Sequence, residues 1–349
     1  MITLKQDLMF KKNLKLSRIF RSITSLGKPK GRIVILGSGW GGYKVLSGLD
    51  TKYHEVIVVS PRNHFVFTPL LASTAVGTLE FRAITEPVRR FRDKGITYYS
   101  SWCDKIDLNK KEVTCTTALV SKNETFKISF DKLIIAVGAY ANTFNIPGVA
   151  ENSYFLKEIS EPNTSEQETI NALNFAVVGG GPTGIEFSSE LYDFVKEDLS
   201  RLYPNLMSKV QITVYDVADT ILGGFQKELQ EYTSKKFFRE GIKIKTKTVI
   251  AKVEKNHLIL KDGLCVPYGL LVWATGITAT PLVRTLDLME DKASRIITNN
   301  MLQVLDQNGK VLDNVFALGD CAAIKDNPLP ATAQVGIKSS RRKIDNNIL

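Results

Sequence analysis

Two glycine signatures constrain this chain more than any other feature. The first lies in residues 32–46, Arg-Ile-Val-Ile-Leu-Gly-Ser-Gly-Trp-Gly-Gly-Tyr-Lys-Val-Leu. Ile33 to Leu36 is a short apolar run rich in β-branched residues, the pattern of a buried parallel strand. Gly37, Ser38, Gly39 and Gly42 follow as G-x-G-x-x-G, and Val45 and Leu46 open an apolar helix face. In such a turn the first glycine allows tight chain reversal. The second lets backbone approach a pyrophosphate, and the third lets helix pack closely on strand. A second strand is expected at Val56 to Val59, completing a βαβ unit with phosphate at a helix N-terminus. The acid usual at the end of that strand is missing. Ser60-Pro61-Arg62 stands there instead, and serine bonds a ribose hydroxyl more weakly than a carboxylate does.

The second signature repeats the first. Phe175 to Val178 reads as a strand, Gly179-Gly180-Gly181-Pro182-Thr183-Gly184 as the turn, and Ile185 to Val195 as an amphipathic helix. The next strand, Val210 to Tyr215, ends at Asp216. A carboxylate there suits the ribose hydroxyls of an adenosine and repels a 2′-phosphate. Val217-Ala218 offers no cation, so this site is expected to favour NAD over NADP. Two fingerprints in one chain are far more specific than one. They imply an α/β protein with two Rossmann-like dinucleotide-binding domains.

At 349 residues the chain has room for both domains. Its formal charge of +10 is concentrated at the ends. Residues 1–30 hold eight Lys/Arg against Asp7, and residues 338–349 hold Lys338, Arg341, Arg342 and Lys343 against Asp345. The body between them is neutral, which argues against a nucleic-acid face. The basic start, with Leu16, Ile19, Phe20 and Ile23 at helical spacing, matches a mitochondrial targeting leader; a solvated basic tail is the plainer reading. No apolar run approaches the roughly 18 residues of a membrane span. The four cysteines, Cys103, Cys115, Cys265 and Cys321, form no C-x-x-C, and with three histidines no metal site is expected. They read as core filler.

Between and beyond the signatures, Asn63 to Leu71 is aromatic, apolar and aperiodic, and reads as a loop. Ile84 to Phe91 reads as a helix with Pro87 in its first turn. Ile96–Tyr99, Glu112–Thr116 and Phe126–Phe130 read as a β-meander. Leu133 to Ala139 and Leu270 to Gly276 are apolar strands running into glycine. Residues 157–172 are polar and partly helical. Glu228 to Phe238 reads as a helix on whose solvated face Glu228 and Glu231 lie. Three strands are expected between Ile242 and Leu260, and a last one at Val315, ending in Gly319-Asp320.

Together these features resemble the two-dinucleotide-binding-domain flavoproteins. Within that group the chain is similar to the type II, non-proton-pumping NADH:quinone oxidoreductases of fungal and plant mitochondria. The matching segments are Leu36-Gly-Ser-Gly-Trp-Gly41, Ser60-Pro-Arg62, Phe67-Thr-Pro-Leu-Leu71, Gly179-Gly-Gly-Pro-Thr-Gly-Ile-Glu186 and Thr332-Ala-Gln-Val335. The resemblance spans about residues 31 to 335. It implies a discontinuous FAD domain (31–145 plus 285–337) and an NADH domain (146–284), between the leader (1–30) and the basic tail (338–349).

By this resemblance FAD would meet Gly37, Ser38, Gly39, Gly42, Ser60, Arg62, Thr68, Pro69, Ala136, Gly138 and Asp320. NADH would meet Gly179, Gly180, Gly181, Gly184, Glu186, Asp216, Thr275 and Gly276, and Gln334 would sit by the ubiquinone head group. Hydride transfer passes between the cofactors, so no acid–base residue is required, although Glu186 falls near the reacting rings. Glu186 as a surface carboxylate, Asp320 as a helix N-cap and Gln334 as a packing residue are the plainer readings. The partners implied are NADH, ubiquinone and the mitochondrial inner membrane on either side, with a homodimer as a candidate assembly.

After Val335 the family continues into a helix and an amphipathic membrane module. This chain reads Gly336-Ile-Lys-Ser-Ser-Arg-Arg-Lys-Ile-Asp-Asn-Asn-Ile-Leu349, and the module is expected to be absent. The rival readings are a shortened FAD/NADH-binding protein that responds to redox state without turnover, and a sulfide:quinone or disulfide oxidoreductase. The last needs a cysteine pair near the flavin, and Cys103 and Cys115 are too far apart in sequence to suggest one.

Overall fold

The computed structural model describes residues 31–49, 51, 54–118, 124–154 and 173–325. The expectations for the leader, residues 157–172, Gln334 and the basic tail lie outside these residues. Two separate sheets form the frame, the larger one mixed and the smaller one parallel. The larger runs, from one edge to the other, Ala322–Ile324, Ile296–Thr298, Gln303–Leu305, Val311–Ala317, Lys132–Ile135, Arg32–Leu36, Glu55–Ser60, Thr97–Asp107, Glu112–Thr117 and Thr125–Ser129. Its centre is parallel: Arg32–Leu36 lies between Glu55–Ser60 and Lys132–Ile135, with Val34 opposite Ile57 on one side and Leu133 on the other. Val34, Ile35, Leu36, Leu133, Ile134 and Ile135 are fully buried, as continuous apolar runs covered on both faces must be.

The smaller sheet, Lys243–Lys245, Gln211–Tyr215, Asn174–Val178 and Leu270–Trp273, is parallel throughout. An antiparallel meander of Ile250–Glu254, His257–Leu260 and Cys265–Pro267 packs on it, burying Val253, Leu258 and Trp273 in one cluster. The two frames are joined where the apolar strands run into glycine. Each stops short, at Ile135 and at Trp273, and the chain resumes as Ala139–Ala141 and Ile277–Ala279, which pair antiparallel. The chain thus crosses from one frame to the other and returns along the same two-stranded ribbon. Ala279 and Val283, expected in the second domain, pack in the core of the larger sheet.

Three local expectations are corrected. Ile84 to Phe91 is not a helix. Phe81–Ile84 and Val88–Lys94 are 3₁₀ turns, and Thr85–Pro87 is a short strand pairing with His64–Val66. Pro87 fits there because a two-stranded pair leaves its missing N–H facing outward. The Asn63–Leu71 loop is accordingly structured, as that strand, a 3₁₀ turn at Thr68–Leu70 and a helix at Leu71–Ala75. Asp320 caps no helix, since the strand Ala322–Ile324 follows it. No described helix is long and apolar enough to cross a membrane.

Candidate functional site

Both glycine turns sit at the carboxyl ends of central parallel strands, where open α/β sheets hold ligands. They match bond for bond. Gly37 N donates to Val59 O at 2.9 Å, and Gly179 N donates to Tyr215 O at 2.8 Å. Both glycines have positive φ, +101° and +119°. A Cβ on Gly37 would stand 2.3 Å from Ala136 O, and one on Gly179 2.4 Å from Ala274 O. The third glycines bring helix onto strand: a Cβ on Gly42 would lie 2.0 Å from Gly37 O, and one on Gly184 1.9 Å from Gly179 O. The middle glycines differ from these, because a Cβ on Gly39 or Gly181 meets nothing within 4 Å. The fold does not need those two hydrogens. They clear the space in front of the helices Trp40–Gly48 and Pro182–Phe194, and the N-terminus of a helix attracts phosphate. The cradle therefore fits the pyrophosphate of a dinucleotide at both turns.

The next residues separate the two sites. At the second, Asp216 Oδ2 accepts from Gly180 N at 2.5 Å and Oδ1 accepts from Ala218 N at 2.7 Å, which fixes the carboxylate at the strand end. Its oxygens keep lone pairs for a further donor. At the first, Ser38 Oγ and Ser60 Oγ lie 2.9 Å apart, both 3% exposed, and Ser38 also reaches Arg62 O at 3.1 Å. The Ser60 hydroxyl is thus turned onto Ser38, while Arg62 is exposed beside it. The sequence reading found no cation near Asp216. The fold brings one in: Lys247 N donates to Ala218 O, and Lys247 Nζ lies 3.4 Å from Asp219 Oδ1. Lys247 comes from the loop after Lys243–Lys245, so only strand order places it there.

Ala136-Val137-Gly138 and Ala274-Thr275-Gly276 lie beside these turns. Ala136 N donates to Leu36 O and Ala274 N to Val178 O, both at 2.8 Å. Thr275 Oγ1 donates to Asn142 O at 2.7 Å, tying the second junction to the ribbon. Gly319-Asp320 follows Val311–Ala317 to the same edge as the first turn, where Leu318 N donates to Ile135 O and the Leu318 side chain packs on Gly41. The structure therefore gathers Gly37, Ser38, Gly39, Gly42, Ser60, Ala136, Gly138 and Asp320 at the carboxyl ends of the larger sheet's central strands. Gly179, Gly180, Gly181, Gly184, Asp216, Thr275 and Gly276 gather at the carboxyl ends of the smaller sheet's strands.

Thr68 and Pro69 are exposed beside the first turn, where Trp40 Nε1 donates to Thr68 Oγ1 at 2.9 Å. Trp40 also packs on Phe65 and Phe67, with ring centroids 4.9 and 5.2 Å away. A few residues on, Ser73 Oγ donates to Glu190 Oε1 at 3.0 Å, and Ala72 and Val76 bury in the core of the smaller sheet. The segment 68–76 therefore bridges the helix of one glycine turn to the helix of the other. Glu186, one turn before Glu190, is an exposed residue. Partial burial first, and the Glu190 carboxylate second, hold its carboxyl above the usual range. Sequence reasoning missed Ser73, Glu190 and Lys247, because nothing local marks a contact made with a residue distant along the chain. Among the described residues no three His, Cys, Asp or Glu side chains cluster as metal ligands.

The comparisons with known proteins agree with this geometry. Residues 31–340 match the family model of the pyridine nucleotide-disulphide oxidoreductases. The chain is 40% identical over 342 residues to the mitochondrial internal alternative NAD(P)H-ubiquinone oxidoreductase A1 of Arabidopsis thaliana, covering 89% of this chain and 66% of the relative. It is 41% identical over 328 residues to a probable NADH dehydrogenase of Dictyostelium discoideum, covering 88% and 71%. The NDH2 of Plasmodium falciparum, solved in complex with NADH, superposes with a TM-score of 0.76 at 31% identity, covering 85% of this chain and 65% of that one. The chain thus spans roughly two thirds of the length of these proteins. It belongs to the pyridine nucleotide-disulphide oxidoreductase family, on the branch of the alternative, type II NADH dehydrogenases.

Proposed function

We propose that this protein is an FAD-dependent NADH:ubiquinone oxidoreductase that pumps no protons, with FAD on the larger frame and NADH on the smaller. The observation that carries the reading is the pair of matching glycine turns, each with an open middle glycine, on frames joined by one ribbon. FAD, when bound, supplies a hydride acceptor for NADH and a two-electron donor for a quinone. The residues of the chain bind and align. The helix N-termini behind Gly39 and Gly181 receive the two pyrophosphates, and Asp216 receives the NADH ribose and disfavours a 2′-phosphate. Asp320 contacts the flavin side of the first site. Segment 68–76 ties the two helices together and would thereby help align the two cofactors. The names of the relatives support ubiquinone as acceptor and the mitochondrion as location. A peripheral seat on the inner membrane, Gln334 beside the quinone and a homodimer belong to the same proposal.

The test is anaerobic titration of the flavin-loaded protein. NADH bleaches the flavin band and NADPH does so far less. A soluble ubiquinone analogue then restores the colour. A protein that takes up no flavin, or whose flavin NADH leaves oxidised, is not this enzyme.

A further inference from the structure

The strands Thr97–Asp107 and Glu112–Thr117 bring two cysteines together that are far apart in sequence. Cys103 is the register partner of Cys115. Three residues along, Ala118 N donates to Ser100 O at 3.0 Å, while Thr117 N turns away to Glu124 O. That pattern makes Ser100 and Ala118 a hydrogen-bonded pair. Counting along the ladder, Cys103 and Cys115 form a non-hydrogen-bonded pair, the kind whose Cα atoms stand about 4.5 Å apart and whose side chains approach most closely. A disulfide spans Cα separations of about 4.4–6.8 Å. Both side chains enter one apolar cluster with Tyr99 and Phe126, so they share a face of the ribbon. Both are free thiols, Cys115 fully buried and Cys103 partly exposed.

We propose that Cys103 and Cys115 are a redox-modifiable pair that closes to a disulfide between neighbouring strands. The site is separate from both glycine turns: Ser100 pairs with Ser60, so Cys103 lies on the part of its strand that runs past the end of Glu55–Ser60. The oxidant is a low-molecular-weight disulfide. The partly exposed Cys103 attacks it through its sulfur, forming a mixed disulfide and releasing one thiol. The Cys115 sulfur then attacks the Cys103 sulfur and releases the second. Two S–H bonds are lost, one S–S bond is gained in the protein, and the oxidant is reduced to two thiols. A hydrogen bond with the Cys115 thiol first, and burial second, hold the Cys103 thiol above the usual range, so the first step is slow and the exchange is read at equilibrium. The other two cysteines serve as internal controls. Cys265 is exposed and its register partner is Ile259. Cys321 is buried, donates to Leu318 O at 3.3 Å, and is pushed up to about 11 by burial.

The full chain, loaded with flavin, is equilibrated in glutathione buffers of rising oxidised fraction, quenched with an alkylating agent and digested without reduction. Mass spectrometry then reads each cysteine. The expected result is a Cys103–Cys115 linked peptide two hydrogens lighter than the separate peptides. Cys265 in the same sample carries glutathione. In Cys115→Ala the mixed disulfide cannot resolve, and Cys103 keeps glutathione as Cys265 does. Persistent glutathione on Cys103 in the unmodified chain overturns the proposal. So do two free thiols under conditions that fully modify Cys265. Should Cys115→Ala fail to fold, the contrast between Cys103 and Cys265 in the unmodified chain decides alone.

Discussion

The two glycine turns share one backbone and differ in how each holds the strand beside it. At the second turn Gly180 gives its N–H to the Asp216 carboxylate, and a Cβ on Gly180 would stand 2.9 Å from Asp216 Oδ2. At the first, Ser38 occupies the equivalent place and Ser60 replaces the acid, so two buried hydroxyls bond to each other. Side chain and strand end change together: a carboxylate needs a glycine across from it, and a serine needs a partner small enough to share its space. The backbone geometry is fixed by what any dinucleotide requires, while the strand-end pair is where the sites diverge in the ligand they accept.

The most severe test of that equivalence is alanine at the third glycines. Gly42→Ala or Gly184→Ala drives a methyl into a backbone carbonyl, and each is expected to cost more than about 3 kcal/mol. Thermal unfolding of each variant measures it, and a fully stable variant would show that the turns are not equivalent. Alanine at the middle glycines spares the fold and strikes the ligand. Gly39→Ala should weaken flavin retention by on the order of tenfold or more, roughly 1.4 kcal/mol, and leave NADH affinity alone. Gly181→Ala should do the reverse. Flavin-to-protein absorbance ratios and NADH titration separate the two, and loss of both ligands in either variant would break the comparison.

Asp216→Asn removes the negative charge at the strand end of the second site. The preference for NADH over NADPH, read as a ratio of kcat/KM values, should fall by roughly tenfold, because a hydrogen bond to a charged group is worth about 1.5–3 kcal/mol. Lys247, whose ammonium pairs with Asp219 just past Ala218, is the cation expected to answer a 2′-phosphate, and adding Lys247→Ala should undo the gain. The smallest effect is expected from Ser60→Ala. It removes one buried hydroxyl partner while Ser38 keeps Arg62 O, so stability should drop by about 1 kcal/mol with flavin content unchanged. A large loss of flavin would mean that the Ser60 hydroxyl serves the ligand rather than Ser38.

Both turns were legible in the sequence because their requirements are local. A glycine forced by a neighbouring carbonyl, an apolar strand before it and an amphipathic helix after it lie within a few residues of one another. The segment 63–94 was not, since its Pro87 and scattered aromatics carry no single period and its short strands exist only by pairing with each other. The approach of Lys247 to Asp219, the bond from Ser73 to Glu190 and the facing of Cys103 and Cys115 share one cause. Each is set by tertiary arrangement, strand order for Lys247, the packing of two helices for Ser73 and register for the cysteines, which a linear pattern does not encode. The serine at position 60 shows a finer limit: the sequence marked the missing acid, and only the structure showed the hydroxyl turned inward to Ser38.

The ribbon that joins the frames also describes how such a molecule can be taken apart. Asn142 N donates to Gly276 O at 2.7 Å, so the chain leaves one frame and re-enters it at almost the same point. Everything between those residues is topologically a guest inserted into a host through a doorway one strand pair wide. Ala139–Ala141 and Ile277–Ala279 are already the two arms of a hairpin. Closing them with a tight Asn-Gly turn in place of residues 142–276 would restore a continuous host. The host would then expose the patch at Ala72 and Val76 that the guest now covers.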